Sequence, residues 1–272
     1  MHGEVVTTEW LTPELVRVVL GGAGLDEFEP IEDADAYVNL FFVPAGAPYP
    51  VPFVDDDFRD LPREQRPFPR RYTVRRWDAD RRQLTIDFVV HGDVGIAGRW
   101  ASQASPGDRL QLRGPAGGYV PHPAADAYLL VGDESALPAI ATAAEMVPVG
   151  RRVVVVAEVE SAAGELEIDS PGDLHVVWVH REGHDGPTDR LLVDAVAALP
   201  RPDGAVSAFV HGEAVAVRAV RRHLLTEGIV DRDQLSASPY WRQGHTDEEW
   251  RTVKAAWQRD VELDIPVGAA AT

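Results

Sequence analysis

The stretch AYLLVGDESALPAIATAAEMV, residues 127 to 147, opens as a continuous apolar run, turns through Gly132-Asp133-Glu134-Ser135, and continues at helical spacing. A run apolar at every position reads as a strand buried on both faces, as in a parallel sheet. Pro138 falls in the first turns of the following helix, where a missing N–H costs little. The pattern repeats downstream. RRVVVVAEV (151–159), LHVVWVH (174–180) and AVSAFVHG (205–212) read as buried strands, while DRLLVDAVAALP (189–200) and EAVAVRAVRRHLLTEG (213–228) read as helices, the second ending at Gly228. Strands alternating with helices predict a Rossmann-like parallel α/β domain over residues 125–240.

Upstream the pattern differs. VVTTEWLTPELVRVVLGG (5–22), DAYVNLFFVP (35–44), RYTVRRW (71–77), QLTIDFVVHG (83–92) and DRLQLRGPAGGYV (108–120) are short, largely alternating runs separated by turn residues. They predict a small antiparallel β-barrel over residues 1–124. Pro44 to Pro69 reads as a loop rich in Pro and Asp. In the tail, residues 241–272, Thr246 and Glu249 form a capping box for a helix whose Trp250, Val253, Trp257 and Val261 share one face, expected to pack on the protein's own body.

The composition excludes several functions. With 44 acidic against 26 basic residues in 272, the net charge of −18 disfavours binding to nucleic acid or to anionic membranes. The chain has no cysteine, so disulfides, thiolate metal sites and cysteine nucleophiles are absent. No apolar run approaches the roughly 20 residues of a membrane span, and the N-terminus lacks a signal-peptide pattern. The expectation is a cytoplasmic monomer. His180 and His184 are spaced i, i+4 but lie beside Gly183 and Gly186, so no metal site is expected. Ser102, Ser105 and Ser207 lack a nucleophile-elbow context.

Between Arg70 and Ala101 three elements point to a flavin dinucleotide. Arg70, before Tyr72 and Thr73, offers a bidentate cation for a pyrophosphate. Tyr72 offers a flat ring for an isoalloxazine. GIAGRWA (95–101) places Gly95, Ala97 and Gly98 at an expected helix start, where N–H groups can approach phosphate oxygens. His91, ending DFVVHG, would lie beside that pocket. In the α/β half, Ser135 is expected to cap the helix after the first strand and to face a phosphate or sugar.

With these residues in view, the chain resembles the siderophore-interacting proteins, FAD-dependent ferric-siderophore reductases of the ferredoxin-reductase-like superfamily. The resemblance rests on NLFFVP, RRYTVR, DFVVHG, GIAGRWA, GDRLQLRGPAGG, GDESALPAI, HGE and YWRQG, and covers nearly the whole chain. It implies FAD held by the barrel, with Arg70, Tyr72 and Thr73 around the flavin and its phosphates. It also implies that Asp87, Val89 and His91 line the flavin, that Ala97, Gly98 and Trp100 hold the pyrophosphate, and that Asp133, Glu134 and Ser135 close on the adenine side. The α/β half would receive NADH or NADPH. No residue acts as a catalytic acid or base, because the flavin carries the chemistry.

The chain also departs from the family. Asn39 stands where members often carry a lysine for anionic ferric chelates, and Ala116 where some carry arginine. Arg242, Arg251 and Lys254, the chain's one lysine, are the replacements available in the tail. Neutral or weakly charged hydroxamate complexes are therefore the expected substrates, ahead of highly anionic catecholates. Two alternatives stay open: a flavin reductase exchanging electrons with ferredoxin, whose usual acidity opposes a charge of −18, and a non-enzymatic siderophore-binding protein. Donor choice is also open, with Arg181 and the Arg151–Arg152 pair as candidate contacts for a 2′-phosphate.

Overall fold

Period-two alternation builds the first half of the chain. Its strands are β1 (His2–Thr12), β2 (Leu15–Gly21), β3 (Tyr37–Phe42), β4 (Phe68–Thr73), β5 (Arg76–Asp78), β6 (Gln83–Val89) and β7 (Arg109–Ala116), with helix α1 (Ile96–Gln103) between the last two. In this computed structural model, which describes residues 1–90, 95–184 and 188–264, they form one antiparallel sheet in the order β4-β3-β7-β1-β2-β6-β5. Val18, Leu20, Val38, Leu40, Leu84, Ile86, Phe88, Leu110 and Leu112 point to one side and are buried in a single core. Each such side chain contributes about 2 kcal/mol through removal from water. The chain after β4 joins the two edges of the sheet. Val74 N–H donates to Ala36 O at 2.7 Å and Arg75 N–H to Thr85 O at 3.0 Å, so one segment passes from a β3 partner to a β6 partner.

The Pro- and Asp-rich loop is held by aromatic packing. Phe53 meets Tyr49, Phe58 and Phe41 edge-on at ring separations of 5.3, 5.6 and 6.4 Å. Buried Gln111 of β7 binds both backbone groups of Phe53 at 2.8 Å.

The two compact units of the chain are Met1–Val120 and Pro121–Thr272. The second contains β8 (Ala127–Asp133), α2 (Leu137–Glu145), β9 (Arg152–Val159), β10 (Asp173–His180), α3 (Leu191–Ala197), β11 (Val206–Glu213), α4 (Ala214–Thr226), β12 (Leu235–Trp241) and α5 (Asp247–Leu263). The sheet order is β10-β9-β8-β11-β12 and every pairing is parallel. Four of these strands are the apolar runs expected from the sequence; β12 is not among them, because its Ser, Pro and Ala residues give no apolar run. An edge position tolerates Pro239 because one side of the strand needs no ladder donor.

The tail helix packs on its own unit. Its capping box is formed as expected, Thr246 accepting from Glu249 N–H. Trp250, Trp257 and Val261 are buried with Ala214 at the start of α4, whereas Val253 lies at the margin, 37% exposed. Arg218 and Arg222 of α4 bind Asp264, and Arg221 binds Val261 O and Glu262.

Across β2 and β6, Arg17 makes a two-pronged bond to Asp87 at 2.7 and 2.8 Å, and the Asp87 side chain is only 2% exposed. Replacing Arg17 by Met strands a buried carboxylate. Arg17→Met should lower the unfolding free energy by about 3 kcal/mol, read as a lower urea midpoint at unchanged slope.

Candidate functional site

In the barrel unit the candidate residues gather around Phe88 of β6. Tyr72 of β4 packs on its ring at 4.4 Å, and Trp100 of α1 at 5.9 Å, with Phe42 a further 5.7 Å neighbour of Trp100. Phe88 is fully buried, while Tyr72 and Trp100 are half-buried and keep an outer face. Gly98 makes this junction possible: a Cβ there would lie 2.9 Å from Val89 O, so only glycine lets α1 rest on the end of β6. Ala97 beside it is also buried.

The start of α1 fits a phosphate. Gly95 precedes it at φ 88°, and among the described residues nothing fills the space where a side chain would project and no side chain caps the first-turn N–H groups. Uncapped donors at the positive end of a helix favour an anion. Half-buried Arg70 lies on β4 with Nη1 donating to Pro69 O at 2.9 Å, and Thr73 closes that strand, buried. Val89 is half-buried at the end of β6. Two expectations stand differently. The Asp87 carboxylate is bound on both oxygens by Arg17, so at this position the backbone is what remains to meet a ligand. His91 lies outside the described residues.

Asn39 sits on β3 directly between Arg71 of β4 and Arg113 of β7. Paired residues project from the same face, and the two guanidinium groups cover the rings of Tyr37 and Phe41 at 5.1 and 5.2 Å. The strands flanking Asn39 therefore supply positive charge that position 39 lacks. Arg113 is partly neutralised by Asp55 at 2.5 Å. The tail cations are engaged elsewhere: Lys254 donates to Pro239 O at 2.7 Å, and Arg242 lies over the Trp250 ring at 5.9 Å.

In the α/β unit the carboxyl ends of the strands carry a dense polar cluster. Asp133, at the end of β8, is buried and accepts four bonds. Oδ1 takes Ser135 N–H at 2.9 Å and Ser135 Oγ–H at 2.5 Å, and Oδ2 takes Glu213 N–H at 2.7 Å and Trp241 Nε1–H at 2.8 Å. Burial pushes its pKa up, against the pull of these donors. Gly212 must be glycine here: its φ is 137°, and a Cβ would lie 2.6 Å from Asp133 Oδ2. Ser135 therefore does not cap α2 as expected. Ala136 occupies the cap position without a side-chain bond, because the Ser135 hydroxyl is turned to Asp133.

Arg181, just past β10, binds three carboxylates. Its Nη1 reaches Glu134 at 3.0 Å and Glu158 at 3.2 Å, its Nε reaches Glu160 at 3.1 Å, and its Nη2 also contacts Glu134. Glu134 is buried, and Glu158 Oε2 is buried with no hydrogen-bond partner among the described residues. Burial pushes the Glu158 pKa up to about 7 despite Arg181. Glu134 and Arg181 are candidates from the sequence, whereas Glu158 shows there only as a charged residue inside the apolar run VVVVAEV. Arg151 and Arg152 lie at the opposite end of β9, where Arg151 pairs with Asp126 at 3.2 Å. Their distance from Glu158, about 20 Å at strand spacing, removes them from this end of the sheet. Deeper in β11, His211 stacks on Phe209 at 3.8 Å and bonds Ser236 Oγ at 2.9 Å; burial lowers its pKa to about 3, so it is neutral at ordinary pH. Among the described residues no group of acidic and histidine side chains could hold a metal ion, and no helix is long and apolar enough to cross a membrane.

A barrel with an open helix start beside an aromatic wall, and a parallel sheet with polar strand ends, define a flavin-and-nucleotide class of protein. Family models agree over both units: residues 4–119 match the siderophore-interacting FAD-binding domain and residues 125–244 the siderophore-interacting protein. The chain belongs to the siderophore-interacting protein family, and its first unit is that family's FAD-binding domain. It is 35% identical to the ferric vibriobactin reductase ViuB of Vibrio cholerae over 91% of each chain. It is 31% identical to the NADPH-dependent ferric-chelate reductase of Escherichia coli, covering 87% of this chain and 91% of that one. The crystal structure of a siderophore utilization protein from T. fusca superposes with a TM-score of 0.78 at 39% identity, covering 91% of this chain and 94% of the other.

Because the native-state pKa of Glu158 lies above the ordinary carboxylate value, the folded protein binds a proton there that the unfolded chain has released. That contribution to stability is present at acid pH and is lost as pH rises through about 7. Glu158→Gln should remove this fall. From pH 5 to 8 the unfolding free energy of the parent should drop by at least ~1 kcal/mol relative to the variant, read from urea melts at both pH values.

Proposed function

We propose that this chain is an FAD-dependent reductase that takes electrons from NADH or NADPH and delivers them to ferric siderophores, releasing Fe(II). The observation that carries the reading is the match of both units, over nearly their whole length, to the two parts of one family whose named relatives reduce ferric chelates. The uncapped start of α1 and the Tyr72–Phe88–Trp100 wall support it from the structure.

In this reading the residues divide the work. The first-turn N–H groups of α1, with Ala97 and Gly98 keeping the approach free of bulk, hold the pyrophosphate, and Arg70 adds a fixed cation. The outer face of Tyr72 takes the isoalloxazine ring, its inner face being fixed by Phe88. Thr73 and Val89 complete the flavin edge, and Trp100 packs behind the phosphates; for His91 the flavin-lining role rests on the resemblance alone. Bound FAD supplies acceptance of a hydride and release of single electrons. The protein needs no acid or base on the substrate, since Fe(II) binds hard oxygen ligands less tightly than Fe(III) and reduction itself unloads the chelate. Arg71, exposed beside Asn39, offers the chelate a positive contact and widens the expected substrates from hydroxamates toward anionic complexes.

The purified protein should show flavin absorption bands, and its released cofactor should be FAD. With NADH or NADPH under anaerobic conditions the flavin should bleach. Ferric siderophore should then restore the colour, with Fe(II) appearing in a ferrozine trap. A protein colourless after incubation with FAD would leave only the binding-module alternative. Tyr72→Ala should weaken FAD affinity by about tenfold, whereas Tyr72→Phe should retain it. Equal FAD affinity in both variants would remove Tyr72 from the site.

A further inference from the structure

The α/β unit carries a choice between donors at the end of its second strand. In open parallel sheets, nucleotides lie at the carboxyl ends of the strands, where the strand order reverses. Here the reversal falls at β8: β9 and β10 lie to one side, β11 and β12 to the other. The group that meets the adenosine ribose in such sheets is an acidic residue some 20 positions after the first strand-to-helix turn, or an arginine where a 2′-phosphate is taken. In this chain the turn is Asp133–Ser135, and Glu158 and Glu160 occupy the corresponding place at the end of β9.

We propose that Glu158 and Glu160, with Glu134 and Arg181, make this site select NADH over NADPH; the proposal rests on the donor-binding reading above. Arg181 is the one guanidinium in the cluster, and all three of its nitrogens are engaged. Nε serves Glu160, Nη1 serves Glu134 and Glu158, and Nη2 serves Glu134. Of its five N–H donors four are in use, so a phosphate cannot take the two-pronged grip that arginine normally offers without expelling a carboxylate. One cation among three carboxylates leaves the cluster net negative, even when Glu158 holds a proton. A 2′-phosphate dianion placed there is repelled, whereas a ribose 2′-hydroxyl can donate to a carboxylate.

Glu158 supplies the independent observation. Its side chain is 10% exposed and its Oε2 lacks a hydrogen-bond partner among the described residues, an acceptor left for a donor. Glu160 is half-exposed and held by one bond to Arg181, so it can turn toward a ligand without disturbing the core. The Escherichia coli relative is named for NADPH; the preference argued here follows from the charges at this chain's own strand ends.

The test is calorimetric titration of the FAD-loaded full-length protein with ADP-ribose and with its 2′-phosphate, at low and at high salt. ADP-ribose should bind at least tenfold more tightly, and the gap should shrink as salt screens the carboxylates. Glu160→Arg should tighten binding of the 2′-phosphate compound by about tenfold and leave FAD content unchanged. Flavin reduction by NADH and NADPH in stopped flow should follow the same order. Equal or tighter binding of the 2′-phosphate compound by the unaltered protein would overturn the preference while leaving the donor site in place. Failure of both compounds to bind would overturn the donor site and the preference together.

Discussion

The buried carboxylate of Asp133 is the constraint on which the nucleotide-facing end of the α/β unit depends. An isolated charge in that position would be strongly disfavoured. Four donors offset it: two from Ser135, one from the Glu213 backbone and one from the Trp241 indole. Those donors come from the turn after β8, the end of β11 and the end of β12, so one side chain fixes the relative positions of three strand ends. The consequences extend outward. Glu213, held by its backbone, caps α4 through its side chain, and α4 in turn carries the arginines that bind the tail helix. Gly212 is required because no Cβ fits beside Asp133.

A second cluster, one strand away, works by charge. Arg181 and its three carboxylates bridge β8, β9 and the residue after β10, stiffening the edge of the sheet where a ribose would lie. Such an arrangement contributes less to stability than its number of contacts suggests, because each buried group must first lose its water. The Glu158 oxygen that has no partner among the described residues is the acceptor that the proposed donor site would use. The barrel unit does the comparable work by packing: Phe88 supports Tyr72 and Trp100 from inside, and glycine at position 98 lets a helix start come within reach of a phosphate.

Much of this was legible before any coordinates. Alternating and continuous apolar runs distinguish an antiparallel barrel from a buried parallel sheet, because a residue's face is set by strand geometry alone. The capping box at Thr246 and the proximity of Tyr72 to the GIAGRWA helix in one short stretch are equally local. The family resemblance drew on the same motifs. What stayed hidden depended on partners distant in the chain. Asp87 reads as a strand-end acid near a flavin, yet Arg17, seventy residues earlier, takes both its oxygens. Ser135 reads as a helix cap, yet its hydroxyl turns to the nearby Asp133, whose carboxylate is fixed in place by Glu213 and Trp241 from far along the chain.

The sequence by itself determined the two architectures and the flavin-binding motif, since these follow from periodicity and from short segments whose backbone geometry is local, while the class of chemistry came from the family resemblance those segments carry. The tertiary structure decided that β12 completes the sheet, that arginines flank Asn39, and that Arg181 is enclosed by carboxylates. The physical reason is that the use of a charged or polar side chain depends on which groups the fold brings within about 3 Å of it, and those groups lie tens of residues away along the chain.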